Sequence, residues 1–172
     1  MSYHDREWGV PVREDRLLFE LFILESAQAG LSWYTVLKKR KNYRKSFDDF
    51  NVEKVARYDA KKIASLLENP GVIRNRQKVE AAVNNAKQWL SIQEKFDSFS
   101  KYAWSFVNNQ TIVNRPRNAS DYVSSSIESK EFSRSLKSYG FKFVGPTIMY
   151  AYMQAVGMVN DHTSDCFRQS QV

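Results

Sequence analysis

A chain of 172 residues with 42% hydrophobic side chains can enclose one sizeable core, is too apolar to be disordered, and by length alone admits one domain or two small ones. Its formal charge of +7 and 14% aromatic content suit a polyanionic partner whose bases can be stacked upon, although surplus cations are also an ordinary solvated surface. The single cysteine, Cys166, excludes an internal disulfide framework; with no signal-like run near Met1 and no stretch apolar enough to span a membrane, a cytoplasmic setting is expected.

Helical spacing dominates, without repeats, low-complexity tracts or linkers, and one compact all-α domain over residues 1–172 is the simplest account. Over residues 15–29, Leu17, Leu18, Leu21 and Phe22 recur on one helical stripe, and at ~100° per residue Glu25 projects near its centre. A carboxylate there needs partners or a proton. Either its head reaches solvent or an internal salt bridge, or it lines a pocket and meets a ligand. Gly30 breaks the run. Ser32 is the expected N-cap of a second helix that carries Trp33, Val36 and Leu37 into the cluster Lys38-Lys39-Arg40-Lys41, read as a helix C-terminus where the macrodipole favours cations.

Short helices are expected over residues 52–57 and 60–68, and a longer one over 74–96. Trp104, Phe106 and Val107 mark a buried helical turn, and residues 111–117 read as irregular or extended. A polar helix over 126–138 stops at Gly140, and a last helix starts at Gly145-Pro146 and ends at Gly157, with proline at the first helical position.

Two further sites stand out. In Leu66-Leu67-Glu68-Asn69-Pro70-Gly71-Val72-Ile73-Arg74-Asn75-Arg76-Gln77-Lys78, one helix ends and another begins with cations. Gly71 permits close backbone approach, and first-turn amides with Arg74, Arg76 and Lys78 could hold a phosphate, like a helix-hairpin-helix element with Ile73 at its second glycine position; an ordinary Gly-capped turn is the plainer alternative. The second site pairs the only two histidines with the only cysteine. His162 and Cys166, four apart, could chelate zinc, or the pair could be inert; with His4 they make three ligands, and an oxygen of Asp5, Asp161 or Asp165, or a water, could supply a fourth.

In order along the chain, Tyr3-His4-Asp5-Arg6-Glu7-Trp8-Gly9-Val10-Pro11, the stretch from Glu25 to Trp33, Gly71-Val72-Ile73-Arg74-Asn75-Arg76, Trp104-Ser105-Phe106-Val107-Asn108, Gly140-Phe141-Lys142-Phe143-Val144-Gly145 and Asn160-Asp161-His162 closely resemble the constitutive bacterial type I 3-methyladenine DNA glycosylases of the helix-hairpin-helix superfamily. The resemblance runs from Tyr3 to Cys166. It implies an all-α base-excision repair enzyme of the bacterial cytoplasm, expected to be monomeric, that flips an alkylated adenine from double-stranded DNA and hydrolyses its bond to deoxyribose. It also implies a structural zinc stapling the termini, with His4, His162 and Cys166 as three of the four ligands. The family places the fourth ligand, a Cys, and a pocket Trp shortly before the Tyr-His pair, whereas this chain begins two residues ahead of Tyr3. The expectation is an incomplete zinc site, a loose tail after Gly157 and a weakened pocket.

In that frame the lesion helps its own removal. Methylation at N3 makes the base cationic and a good leaving group; Glu25 would accept from its exocyclic amine edge and offset its charge, while Tyr3, Trp8 and Trp33 offer π faces, with core packing the alternative for each aromatic. Gly71, Arg74, Arg76 and Lys78 would hold phosphates, and Gly30 and Leu31 would wedge into the vacated stack unless Leu31 simply packs. Between Lys78 and Phe96 there is no Asp, only Glu80 and Glu94, so catalysis through leaving-group binding without lyase activity is expected. A non-catalytic binder of alkylated DNA and a structural zinc or interaction protein are the alternatives on the same scaffold.

Overall fold

The buried face of each helix follows from the apolar spacing above, and its start from a polar cap. The computed structural model describes residues 2–172. These form α1 (Ser2–Arg6), α2 (Asp15–Gln28), α3 (Trp33–Ser46), α4 (Val52–Ala56), α5 (Ala60–Glu68), α6 (Arg76–Phe96), α7 (Phe99–Trp104), α8 (Ile127–Ser138) and α9 (Pro146–Ala155). Ser32, Asn51, Asp59, Asn75, Ser98 and Ser126 each accept from a first-turn backbone amide of the helix that follows, satisfying donors the helix itself leaves free. Asn75 therefore starts α6 at Arg76, two residues later than spacing suggests. No described helix is long and apolar enough to cross a membrane.

Helix α2 is the centre of the fold. Every residue from Leu18 to Ala27 is buried, so it has no solvent face, as befits a helix enclosed by others. The Phe22 ring meets Trp89, Phe99, Phe141 and Tyr152 edge to face, which ties α6, α7, the segment before α9 and α9 itself to one side chain; such pairs each add ~0.5–1.5 kcal/mol beyond area burial.

The basic cluster is not a helix C-terminus. Helix α3 continues to Ser46 because Arg40 and Arg44, one turn apart, both reach back to the buried Glu20 of α2. Arg40 Nε lies 2.6 Å and Arg44 Nη2 2.8 Å from Glu20 Oε1, while Arg40 Nη1 lies 2.6 Å from Glu7 Oε2. Lys39 donates to the Pro70 carbonyl at 2.6 Å, docking the turn after α5 against α3.

The segment read as irregular or extended pairs with the tail. Strands β1 (Ile112–Val113) and β2 (Val159–Asn160) form a two-residue parallel ladder, Ile112 opposite Val159 and Val113 opposite Asn160. The tail after Gly157 is packed, contrary to expectation. Met158 to His162 are buried, the Asn160 amide donates to the carbonyls of Gln169 and Val172 at 3.1 and 3.0 Å, and Gln169 donates to those of Asn114 and His162 at 2.6 and 2.8 Å. Hydrogen bonds and apolar burial hold this segment.

The N-terminal segment is laced to the same end. Val12 donates its amide to Val156 at 2.9 Å, Gly9 to Gln154 at 3.1 Å, and the Trp104 indole to the Val12 carbonyl at 2.8 Å. Gly157 sits at φ +73, and a Cβ there would overlap the backbone of Val10 and Pro11. Gly157→Ala is expected to lower stability by about 2–4 kcal/mol, from left-handed strain and overpacking together, read as a drop in the urea midpoint at constant m-value.

Candidate functional site

Three elements converge on Glu25. Helix α2 supplies the carboxylate, the first turn of α3 supplies Trp33 just after its Ser32 cap, and α1 supplies Tyr3. The Tyr3 and Trp33 rings lie 5.5 Å apart at 54°. Glu25 is only 4% exposed, and its Oε2, Tyr3 Oη and Trp33 Nε1 are all buried without a hydrogen-bond partner among the described residues. The Trp33 N–H lies near enough to favour ionisation of Tyr3 without meeting hydrogen-bond geometry.

Native cores rarely leave such atoms unpaired. Burial alone pushes the Glu25 carboxyl up to about 8, and burial, followed by the nearby Glu25 charge, raises Tyr3. An indole donor, a hydroxyl and a carboxyl with an unused oxygen make a set that matches a small planar molecule with a polar edge. A cavity of about 150 Å³ adjoins the tyrosine, lined by Tyr3, Arg6, Glu7, Val10, Val12, Leu17, Leu21 and Ala155.

Trp8 stands elsewhere. Its ring lies 4.6 Å from that of His162 and 6.0 Å from that of His4, making it a wall of the histidine cluster, not a partner of Glu25 and Trp33. Sequence cannot separate these roles, because Trp8 lies five residues from Tyr3 and four from His4.

The His4, His162 and Cys166 ligand atoms all lie within 4.8 Å of one another, with Cys166 Sγ 3.8 Å from His4 Nε2. His162 Nδ1 lies 2.9 Å from Asn160 Oδ1 and His4 Nδ1 2.9 Å from Asp5 Oδ1. Those contacts orient both rings and leave Nε2 for an ion, as in metal-ligating histidines generally. His162 Nε2 is buried and unpartnered; burial, then the positive charges of His4 and Arg168, lowers its proton affinity and favours the neutral, ligating form. Two imidazoles and a thiolate fit a borderline-soft ion such as zinc. Asp161 is occupied, accepting from Asn114, Tyr150 and Gln154 at 2.7, 2.7 and 2.6 Å.

The turn between α5 and α6 is largely self-satisfied. The Gly71 amide donates to Asn69 Oδ1 at 2.8 Å and the Ile73 amide to Tyr43 Oη at 3.0 Å, and a Cβ on Gly71 would come within 2.8 Å of Asn42 Cβ. Gly71 is thus required by packing against α3. The Lys78 ammonium donates to the carbonyls of Ala27 and Ala29 at 2.8 and 2.6 Å, closing the C-terminus of α2, so it does not project as a phosphate-holding cation. Arg74 and Arg76 are exposed, with Arg76 3.3 Å from Glu80. Gly30 has open space around it and Leu31 is 40% exposed.

A second short connection between helices joins α8 to α9 through residues 139–145. Gly145 caps α9 with no side-chain bond and Pro146 follows, leaving first-turn amides to outside acceptors. Between α6 and this connection lies a cleft of about 390 Å³, lined by Gln77, Glu80, Asn84, Lys142 and Phe143 among others. Gly145-Pro146 carries the signal in the sequence, but as a helix start it says nothing of the connection's neighbour.

The sequence profile described as methyladenine glycosylase matches residues 1–169. The chain is 45% identical over 166 residues to the DNA-3-methyladenine glycosylase 1 of Escherichia coli, covering 96% of this chain and 89% of that protein. It is equally similar, at 45% over 96% and 90%, to the DNA-3-methyladenine glycosylase of Haemophilus influenzae. Among solved structures, that describing 3-methyladenine recognition by the Staphylococcus aureus 3-methyladenine DNA glycosylase I matches with a TM-score of 0.95 at 40% identity, covering 98% and 89%.

The raised Glu25 carboxyl has a measurable cost. Its folded value of about 8 lies above an unfolded value near 4.3, so the folded state holds a proton that the unfolded state releases between those pH values. Stability is lost across that window and the penalty is complete above it. Glu25→Gln removes the penalty: relative to the parent it should gain on the order of a few kcal/mol on going from pH 4 to pH 9, measured by urea unfolding of both proteins. A difference that does not change with pH would contradict this account.

Proposed function

The chain belongs to the methyladenine glycosylase family, and from that premise we propose that it removes 3-methyladenine from alkylated double-stranded DNA, hydrolysing the bond between the base and deoxyribose as a monomer. The observation that carries this reading is the set of Glu25 Oε2, Tyr3 Oη and Trp33 Nε1 on three different helices, each buried without a hydrogen-bond partner among the described residues.

Methylation at N3 gives adenine a positive charge, which weakens its glycosidic bond. In the empty pocket Glu25 is protonated near neutral pH. A cationic base favours ionisation of Glu25, so charge attraction and hydrogen bonding develop together in a water-poor site. Neutral adenine gives no such drive and meets a protonated acid. Selectivity therefore comes from charge, and stabilising the base as it departs assists bond cleavage. Tyr3 and Trp33 supply π faces for the cation, Leu31 and Gly30 border the entrance, and Arg74 and Arg76 face the backbone.

His4, His162 and Cys166 are assigned to a structural zinc that fastens α1 to the tail. The donor set and the orphaned His162 Nε2 support that assignment. An ion there would hold α1, and with it Tyr3, in place.

Incubating the protein with alkylated duplex and identifying the released bases tests the activity. Release of 3-methyladenine above the spontaneous rate is expected, and its absence would reduce the protein to a binder. Glu25→Ala should slow excision about ten- to a hundredfold, the worth of a charge-assisted hydrogen bond, while affinity for undamaged duplex stays within about twofold; equal losses in both would refute a pocket role. For the metal, zinc at about a hundred times its Kd should stabilise the parent by ~2.7 kcal/mol. Cys166→Ala should lose most of that gain, seen as a rise in Tm with zinc that the variant lacks.

A further inference from the structure

The lip of the site carries an aromatic residue that neither the core nor the pocket uses. Tyr34 follows Trp33 on α3, and at ~100° per residue it points away from the direction in which Trp33 enters the site. It is 66% exposed, and Leu31, three residues earlier, is 40% exposed. The Lys38 ammonium lies 4.3 Å from the centre of the Tyr34 ring. Tyr34, Lys38, Lys41 and Lys45 fall within about 40° of one line along the helix and span roughly 16 Å, and all four are exposed. Arg40 and Arg44 lie on another side of α3, bound to Glu20. The helix therefore divides its cations between an ion-paired side and an open row headed by an aromatic.

That surface is joined to the site and to the turn between α5 and α6. Lys78 fixes the Ala27 and Ala29 carbonyls to α6, and Lys39 fixes α3 to Pro70, so Leu31, Tyr34 and the residue 69–75 turn move as one body. Resting on the reading of the Glu25 pocket above, we propose that Tyr34 stacks on the unpaired base left opposite the extruded nucleotide, while Lys38, Lys41 and Lys45 follow the phosphates of that same strand. The chemistry matches at each point. Extrusion of a base into the pocket beside Trp33 leaves its former partner with an open π face. Lys38 covers one face of the Tyr34 ring and leaves the other for a base, and three spaced ammonium groups complement a run of phosphates.

The test uses the whole protein and a duplex bearing an abasic-site analogue opposite 2-aminopurine. Tyr34→Ala should weaken binding about 5- to 150-fold and abolish the 2-aminopurine fluorescence change seen with the parent. Tyr34→Trp should preserve both, and affinity for free 3-methyladenine should be the same in all three proteins. Lys38→Gln and Lys41→Gln should each flatten the slope of log affinity against log salt by about 0.9. Equal binding by the parent and Tyr34→Ala, or unchanged salt slopes in the lysine variants, would overturn the proposal. If the parent bound this duplex through Tyr34 yet released no 3-methyladenine, the surface would stand and the excision reading would fall.

Discussion

One buried carboxylate sets the geometry of the site. Glu20 is 4% exposed and takes both Arg40 and Arg44, and Arg40 extends to Glu7. The cluster binds α2 and α3, which carry Glu25 and Trp33, to Glu7, the residue that follows α1, the helix that carries Tyr3. Removing one member of such a cluster leaves a charge uncompensated in a poorly solvated place, typically at a cost of ~3–5 kcal/mol. Trp33 and Arg40 lie on similar sides of α3, two turns apart, so the same packing against α2 that satisfies Arg40 also holds the indole beside Tyr3.

The contrast within α2 is instructive. Glu20 and Glu25 lie on one helix, equally buried at 4%, with opposite fates. Glu20 is surrounded by guanidinium groups; Glu25 keeps an oxygen with no partner and is held up to about 8 by desolvation. The first arrangement stabilises the fold. The second is a local destabilisation that persists because the surrounding helices hold it in place, and it becomes favourable when a cation arrives.

Much of this was legible in the residues. The position of Glu25 on an apolar stripe, the Ser32 cap, the limits set by Pro146 and Gly157, and the spacing of His162 and Cys166 follow from periodicity and residue type; the closing of His4 onto that pair is implied by the family resemblance. What could not be read depended on partners far along the chain. Lys78 looks like any first-turn cation until the carbonyls of Ala27 and Ala29, about fifty residues earlier, are placed beside it. Arg40 looks like its lysine neighbours until Glu20 is seen below it. Trp8 reads as a pocket wall because Tyr3 is close in sequence, yet the folded chain turns it toward the histidines. The ladder between β1 and β2 has only two residues on each side and therefore no periodicity to detect.

The lacing of the N-terminal segment to α9 and the tail also governs when the site comes into being. Cys166 and His4 are 162 residues apart in sequence, and Val12 and Gly9 depend on carbonyls of Val156 and Gln154. Contacts of such separation carry a larger entropy of chain closure than local ones and slow folding. A nascent chain emerging N-terminus first has Tyr3, Trp33 and the Glu7–Arg40 pair from early on, but lacks the carbonyls that hold Gly9 and Val12 until Gln154 and Val156 are made. Glu25 and Trp33 lie close in sequence and can meet early. The segment after Tyr3 is thus tied from one side by the Glu7–Arg40 pair and from the other by the far end of the chain, so the anchoring of the site is complete only when the fold is closed.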